Sequence, residues 1–435
     1  MSKQTQRRRA IRVMSGTNRN RELLLIFFAM LVIATGFVLT ALNTGRPIAT
    51  ALRFTGFLAA VFIAIHIANR LFVSTAEPTL VPLVAFITGL GLVMIWRLKP
   101  ELAAAQAVWL LVGAIALVGA MLTARRYQKF KDYKYTWAIA GVILLFAPVF
   151  LGVERGGARL WIDLGPVSFQ PAEIAKLCFV LFLASYLEEK RRLLSISTKQ
   201  AFGIWLPELK HLGPLLIMWA VSLVILVLER DLGTSLLFFG LFLAMLYVAT
   251  GRPFYVVLGT SLFIAGAAAC YFAFSHVQVR FDIWLDPWLD PSGRGYQIIQ
   301  SIFAISSGGL AGTGLGLGNP NLIPAVHTDF IFSAIAEELG LLGSVAVILA
   351  YLLFISRGLK IALTADDEFG KLVAAGLTSV FALQTFVILG GTTKLIPLTG
   401  VTLPYMSYGG SSILINFILL ALLLTISAKR GERGE

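Results

Sequence analysis

The chain has 435 residues, of which 57% are hydrophobic and 14% charged, with a net charge of +13 and a mean hydropathy of +0.83. Soluble domains carry about a quarter charged residues, so this balance excludes an ordinary globular fold. The basic residues lie scattered over segment ends and not on one surface, which argues against a nucleic-acid partner. No polar stretch is long enough to fold alone.

A helical span needs roughly 20 apolar residues to cross about 30 Å of hydrocarbon. Twelve segments qualify: 22–42, 54–73, 78–96, 102–123, 135–153, 171–187, 212–228, 234–250, 254–275, 328–356, 371–391 and 411–428. They are rich in Leu, Ala, Gly and Phe, which suits lipid-facing helices better than barrel strands. The expected fold class is therefore an all-α polytopic integral membrane protein.

Residues 1–21 form a basic N-terminus with an Arg7–Arg8–Arg9 cluster, read as a cytoplasmic topology signal in preference to an anionic-lipid contact. The first apolar stretch is a full span without a small-residue cleavage pattern, so no signal peptide is expected. With the N-terminus inside, most of the 36 basic residues fall on the cytoplasmic side. Ten stay outside: Arg46, Arg53, Arg97, Lys99, Arg155, Arg159, Arg230, Arg280, Arg294 and Lys394. The positive-inside rule then places both termini in the cytoplasm. Cys178 and Cys270 lie within spans and are expected as free buried thiols. His66, His211, His276 and His327 are too dispersed for a metal cluster.

Further along, Glu173 and Lys176 lie three apart on a helix opened by Pro171, able to pair and hold a polar cavity below the outer surface or to snorkel as a pair. Glu229, Arg230 and Asp231 read as a solvated outer turn. The longest outer segment runs from about 276 to 327, and loops of that length are functional or disordered. Phe281, Trp284, Trp288, Tyr296 and Phe303 favour an ordered seat at the interface. Within it, QIIQSIFAISS (297–307) places Ile298, Ile302 and Ile305 on one helical face, and GGLAGTGLGLG allows tight, close-packed turns. The glycines lack the βαβ context and the Lys-Ser/Thr of a phosphate loop. Asp282, Asp286 and Asp290 recur every four residues. Asp286 and Asp290 each precede proline, so each is either a turn cap or a carboxylate available as a general base at the membrane edge. Glu337 and Glu338 stand well inside a helical segment, where carboxylates are costly.

Several blocks carry a resemblance: GGARLWIDLGPVSFQPAEIAKL, RDLGTSLLF, DPWLDPSGRGYQIIQS, HTDFIFSAIAEELG and LPYMSYGGSSILINF, in this order. Together they resemble the SEDS family, which includes RodA, FtsW and SpoVE, from about Glu77 to Ala428, and the KLIPLTG–VTLPYMSYGGSS ending leans toward RodA. The resemblance implies a ten-span core over 77–428 and a 429–435 cytoplasmic tail. Residues 22–76 are left as two extra N-terminal spans, for about 12 transmembrane helices in a bacterial plasma membrane. It also implies a peptidoglycan glycosyltransferase polymerising lipid II (an undecaprenyl-pyrophosphate-linked disaccharide peptide) beside a class B penicillin-binding protein, in elongation, shape or division.

The family's loop aspartate, in the pattern Asp-Pro-x-Gly-x-Gly-Tyr-Gln, falls on Asp290, with Tyr296 and Gln297 ending the pattern. Asp286, His327 and Asp329 are further loop candidates; relatives can carry Asn at the place of Asp286. Arg230 stands where the family has proline, and Ala172 where it has serine. Lys394, Arg280, Arg155 and Lys176, with Glu173 beside the last, are the candidates for the diphosphate, with magnesium or manganese as a possible helper cation. The alternative function is a flippase for lipid-linked precursors, which the absence of inverted broken-helix repeats disfavours. A scaffold recruiting a cell-wall synthase is a third reading.

Overall fold

The computed structural model describes residues 3–155, 158–165, 167–195, 199–201, 204–206, 217, 220–221, 224 and 231–433. Apolar runs become helices because only a helix satisfies all its backbone polar groups within hydrocarbon. Helix α1 (Lys3–Thr44) runs unbroken through the basic terminus and turns at Gly45, with φ 66°, into α2 (Ile48–Phe72). Then follow α3 (Leu80–Leu98), α4 (Pro100–Ala124), α5 (Lys134–Leu151), α6 (Pro171–Ser195), α7 (Leu232–Thr250) and α8 (Pro253–Ala273). The large loop contributes α9 (Ser275–Leu285) and α10 (Tyr296–Ser307), and the chain ends with α11 (Ile331–Thr364), α12 (Glu368–Thr392) and α13 (Gly410–Arg433).

Ten of the described helices are long and apolar enough to cross a membrane. Helix α6 occupies the sixth expected segment, and the seventh, 212–228, lies outside the described residues. Helices α3, α7, α12 and α13 bury most of their surface, so they form the centre of the bundle. Helices α1, α2, α4, α5, α8 and α11 leave wide apolar faces for lipid. The loops add two small antiparallel sheets to the helical frame: β1 (Val153–Arg155), β2 (Ala158–Leu164) and β3 (Val167–Phe169) in sequence order, and the hairpin of β4 (Lys199–Ala201) with β5 (Ile204–Leu206).

Contacts sort the helix ends onto two faces. On one, Arg46 meets the end of α3, Asn43 meets Leu315, Trp284 meets Lys394, and Gln170 meets Ser411. On the other, Arg19 meets Ala76, Tyr127 meets Asp367, Arg191 meets Glu368, and Thr75 meets Ala428. The helix ends alternate between the two faces, as successive membrane crossings require, and the first face is the one that bears the large loop.

Helix α11 is broken at Gly340 (φ 65°, ψ −163°), where a Cβ would overlap the Gly312 nitrogen of the glycine-rich loop. That break resolves the cost of Glu337 and Glu338. Glu337 Oε1 accepts from the Asn319 N–H at 2.6 Å, and Glu338 accepts from Arg97 and from the Gly316 N–H at 3.0 Å each. Both carboxylates therefore hold the large loop instead of standing in lipid.

Candidate active site

A small, partly enclosed cleft lies on the same face as the large loop, lined by Gln170, Ala172, Glu173, Lys176, Thr234, Leu237, Phe238, Val401 and Thr402. It lies where α6 and α7 begin, close to the head of α13. Pro171 starts α6, the buried Asp231 caps α7 by accepting from the Thr234 N–H at 3.0 Å, and the Gln170 N–H donates to Ser411 at the head of α13. Helix starts point unpaired N–H groups and a partial positive charge toward whatever occupies the space between them.

Glu173 and Lys176 meet at 2.7 Å, both buried, so they do not snorkel. Lys176 also donates to Gln384 at 2.8 Å, and Gln384 donates to the Thr402 carbonyl at 2.9 Å. Glu173 Oε2 has its ion contact but no aligned hydrogen bond, and the Thr399 hydroxyl is buried without a partner. Two buried polar atoms near the cleft thus lack a hydrogen-bond partner, each costly to leave unmet.

That wall is the irregular segment 394–409 between α12 and α13. Non-helical backbone at membrane depth survives only where protein buries it or water fills a cavity beside it. Here Tyr351 donates to the Pro404 carbonyl at 2.7 Å, Gln106 to Ser407 at 3.3 Å, and Arg280 to Leu398 at 3.1 Å. Lys394 (φ 60°) and Tyr405 (φ 63°) adopt left-handed backbone, which side chains disfavour and which tertiary contacts must enforce.

The large loop docks on this segment. Trp284 donates to the Lys394 carbonyl at 3.1 Å, and Lys394 Nζ reaches the Leu285 carbonyl at 3.3 Å. Arg280 interacts electrostatically with Asp231 and Asp329, and Asp329 approaches Gly400. Burial pushes the Asp329 carboxyl up to about 6; Arg280 pulls against that rise and Asp231 adds to it. Burial likewise raises Asp231, opposed by its bonds to Thr234 and by Arg280. Burial lowers His327, with Lys99 adding to the effect.

Asp286 and Asp290 lie exposed on the turn between α9 and α10. Asp286 accepts from the Trp288 N–H at 3.0 Å; the two oxygens of Asp290 accept from the Gly293 and Arg294 N–H groups at 3.0 Å each. A Cβ on Gly293 would strike the Asp290 carboxylate, and one on Gly295 the Pro287 carbonyl, so the spacing of the two glycines follows from this turn. Tyr296 and Gln297 open α10, whose Ile298, Ile299, Ser301 and Ala304 are buried. Ile302 and Ile305 of the expected apolar face are only half-buried, and Ser301 bonds Ser333 and the Thr392 carbonyl.

Sequence reading grouped Glu173 with Lys176 and offered Arg280 and Lys394 as candidates for the diphosphate, two residues that the structure sets where the large loop docks on segment 394–409. It erred on Asp231, which is buried and caps α7; Thr234, three residues on, was the available signal. It missed Gln384, a lone amide in the apolar run FALQTFV, and Thr402. The Arg155 side chain, Glu229 and Arg230 lie outside the described residues.

Residues 78–432 match the cell cycle protein family that unites FtsW, RodA and SpoVE. The chain belongs to this family. Peptidoglycan glycosyltransferase RodA of Mycobacterium tuberculosis (strain ATCC 25618 / H37Rv) is 43% identical over 425 residues, covering 94% of this chain and 91% of its own. Stage V sporulation protein E of Bacillus subtilis (strain 168) is 36% identical over 307 residues, 68% of this chain and 81% of its own. Among solved structures, a chain of a peptidoglycan synthase complex that coordinates polymerization and crosslinking matches with TM-score 0.66 and 30% identity, over 82% of this chain and 98% of its own. The rod shape determining protein RodA of Thermus thermophilus gives 0.59 and 28%, over 82% and 97%. A match over 94% of the chain takes in most of α1 and α2 as well as the shared core.

Proposed function

We propose that this protein is a RodA-like peptidoglycan glycosyltransferase that polymerises lipid II at the outer face of the plasma membrane, beside a class B penicillin-binding protein. The observation that carries this reading is the cleft itself. Two helix starts and the Lys176 ammonium meet there, with open apolar faces of the bundle alongside. A diphosphate on a polyprenyl tail needs that combination: N–H groups and a cation for the phosphates, and lipid-facing helices for the chain. The names of the curated relatives point the same way.

The chemistry is inverting glycosyl transfer. Asp290 takes the proton from the acceptor sugar's 4-hydroxyl while that oxygen attacks the anomeric carbon of the donor, and undecaprenyl diphosphate leaves with the bonding pair. The turn orients the carboxylate without exhausting it. Each oxygen accepts one N–H and keeps a second lone pair for a hydroxyl. The leaving group needs no protonation, so one base suffices where hydrolases of alkyl glycosides use two carboxylates. Lys176, Arg280, Lys394 and Arg155 are the cations available to the diphosphate. Arg280 and Lys394 also tie the loop to the cleft wall.

Among the described residues no group of three His, Cys, Asp or Glu side chains is placed to hold a metal. Glu173, with one oxygen lacking an aligned donor, suits magnesium or manganese only as a cation held jointly with the phosphates. Such an ion would neutralise charge on the leaving group.

The test is polymerisation of lipid II by purified wild type and Asp290→Asn, with and without chelator. Loss of a general base reduces rate about 10²–10⁴-fold. Wild-type turnover by Asp290→Asn would remove Asp290 as the base; lipid translocation with no polymer from either protein would make the chain a flippase.

A further inference from the structure

The α1–α2 hairpin is attached to the rest of the bundle at both ends. At the inner end, the buried Glu22 accepts from Arg19 and from Asn69 at 3.2 Å, and pairs with His66 at 2.8 Å, while Arg19 also reaches the Ala76 carbonyl. This fixes the two helices to each other and to the linker into α3.

The outer end does something different. Asn43 Nδ2 donates to the Leu315 carbonyl at 2.6 Å, across 272 residues of sequence. Asn43 and Thr44 lie against Gly316, where a Cβ would meet their side chains at 3.2 and 3.0 Å. Arg46 stacks over Trp96 at 5.2 Å and donates to the Trp96 and Arg97 carbonyls, closing the C-terminus of α3. Arg97 in turn donates to Glu338 at 3.0 Å and to the Gly318 carbonyl at 2.9 Å. The hairpin tip therefore touches one short stretch, 315–318, directly through Asn43 and indirectly through Arg46 and Arg97. That stretch belongs to the same loop that bears Asp290.

We propose that the α1–α2 hairpin is a built-in brace for the catalytic loop, with Asn43 and Arg46 as positioning residues that hold the glycine-rich segment against the broken helix α11. The proposal rests on the reading of that loop as the catalytic one. A glycine-rich segment loses more conformational freedom on ordering than any other, so it needs fixed contacts to stay in one arrangement. Glu337 and Glu338 hold it from the core side. The hairpin holds it from the other.

The experiment uses the full chain in nanodiscs. Asn43→Asp keeps the shape of the side chain and replaces the donor with an oxygen facing the Leu315 carbonyl; Arg46→Ala removes the link to α3, and Arg46→Lys restores a cation there. Amide exchange over 313–318 is followed beside that of α3, together with KM and kcat for lipid II. For Asn43→Asp the expected result is exchange about tenfold faster over 313–318, the change that one lost hydrogen bond makes in an opening equilibrium. Exchange in α3 stays unchanged, kcat falls and KM stays near wild type. Arg46→Lys should recover part of what Arg46→Ala loses. Unchanged exchange over 313–318 in both Asn43→Asp and Arg46→Ala overturns the brace, as does faster exchange with wild-type kcat. An Asp290→Asn protein that is fully active but exchanges normally refutes the assigned base and leaves the brace to stand on its own exchange data.

Discussion

Asp231, Asp290 and Asp329 are three carboxylates on the face of the large loop, held in three ways: as a buried helix cap, on an exposed turn, and in a crevice beside Arg280. The sequence shows where the turn is, because Asp-Pro-Ser-Gly-Arg-Gly announces its own geometry. It does not show which aspartate is buried, because burial is decided by α9 and segment 394–409 closing over residues far away in the chain. Asp329 yields a measurable consequence. Its ordinary value lies near about 3.9, and burial raises it to about 6 in the folded protein. Between those values the folded form binds a proton that the unfolded chain does not, so this group's contribution to stability falls as pH rises through that window. Asp329→Asn removes the titration. Thermal unfolding in detergent should show the wild type losing stability relative to Asp329→Asn from pH 4 to 6, with a constant difference above. A difference that does not change with pH would show that Asp329 keeps its ordinary value.

The glycine-rich loop and the break in α11 form one element that neither sequence stretch announces alone. Glycines in GGLAGTGLGLG predict close turns, and Glu337–Glu338 predicts an expensive pair of charges; the structure shows each to be the other's explanation. The loop's N–H groups need acceptors, the carboxylates need donors, and Gly340 lets α11 bend so that they meet. Arg97 and Glu338 anchor the arrangement as a buried ion pair. Removing one partner of such a pair strands the other and costs about 3–5 kcal/mol, whereas replacing both with apolar side chains costs far less. Arg97→Met and Glu338→Met should each lower unfolding stability in mixed micelles by about that amount. The double variant should lose much less than the two together, retaining a deficit from the orphaned Gly316 N–H. Additive losses would mean that the two charges do not act as a pair.

Across the whole molecule, the frame was legible because crossing a bilayer imposes a length and a composition that few other structures share. The second apolar run becomes α2, the third α3, and the last α13, with ends displaced by a few residues. What sequence leaves open is which helices face one another, since lipid-facing and partner-facing surfaces are equally apolar. Helix α3 is buried nearly all round and α8 hardly at all, yet both read as plain apolar runs. Orientation is the remaining global property, and the division of contacts into two faces makes it testable with two probes. Leu289, on the turn with Asp290, is 76% exposed, and Arg126, between α4 and α5, is exposed on the opposite face. The native thiols Cys178 and Cys270 are free but buried, so a membrane-impermeant maleimide should find little background. On intact spheroplasts Leu289→Cys should label at once, and Arg126→Cys only after the membrane is opened. The reverse pattern would put the loop, the cleft and the proposed diphosphate site on the cytoplasmic side, where polymerisation onto an external wall has no acceptor.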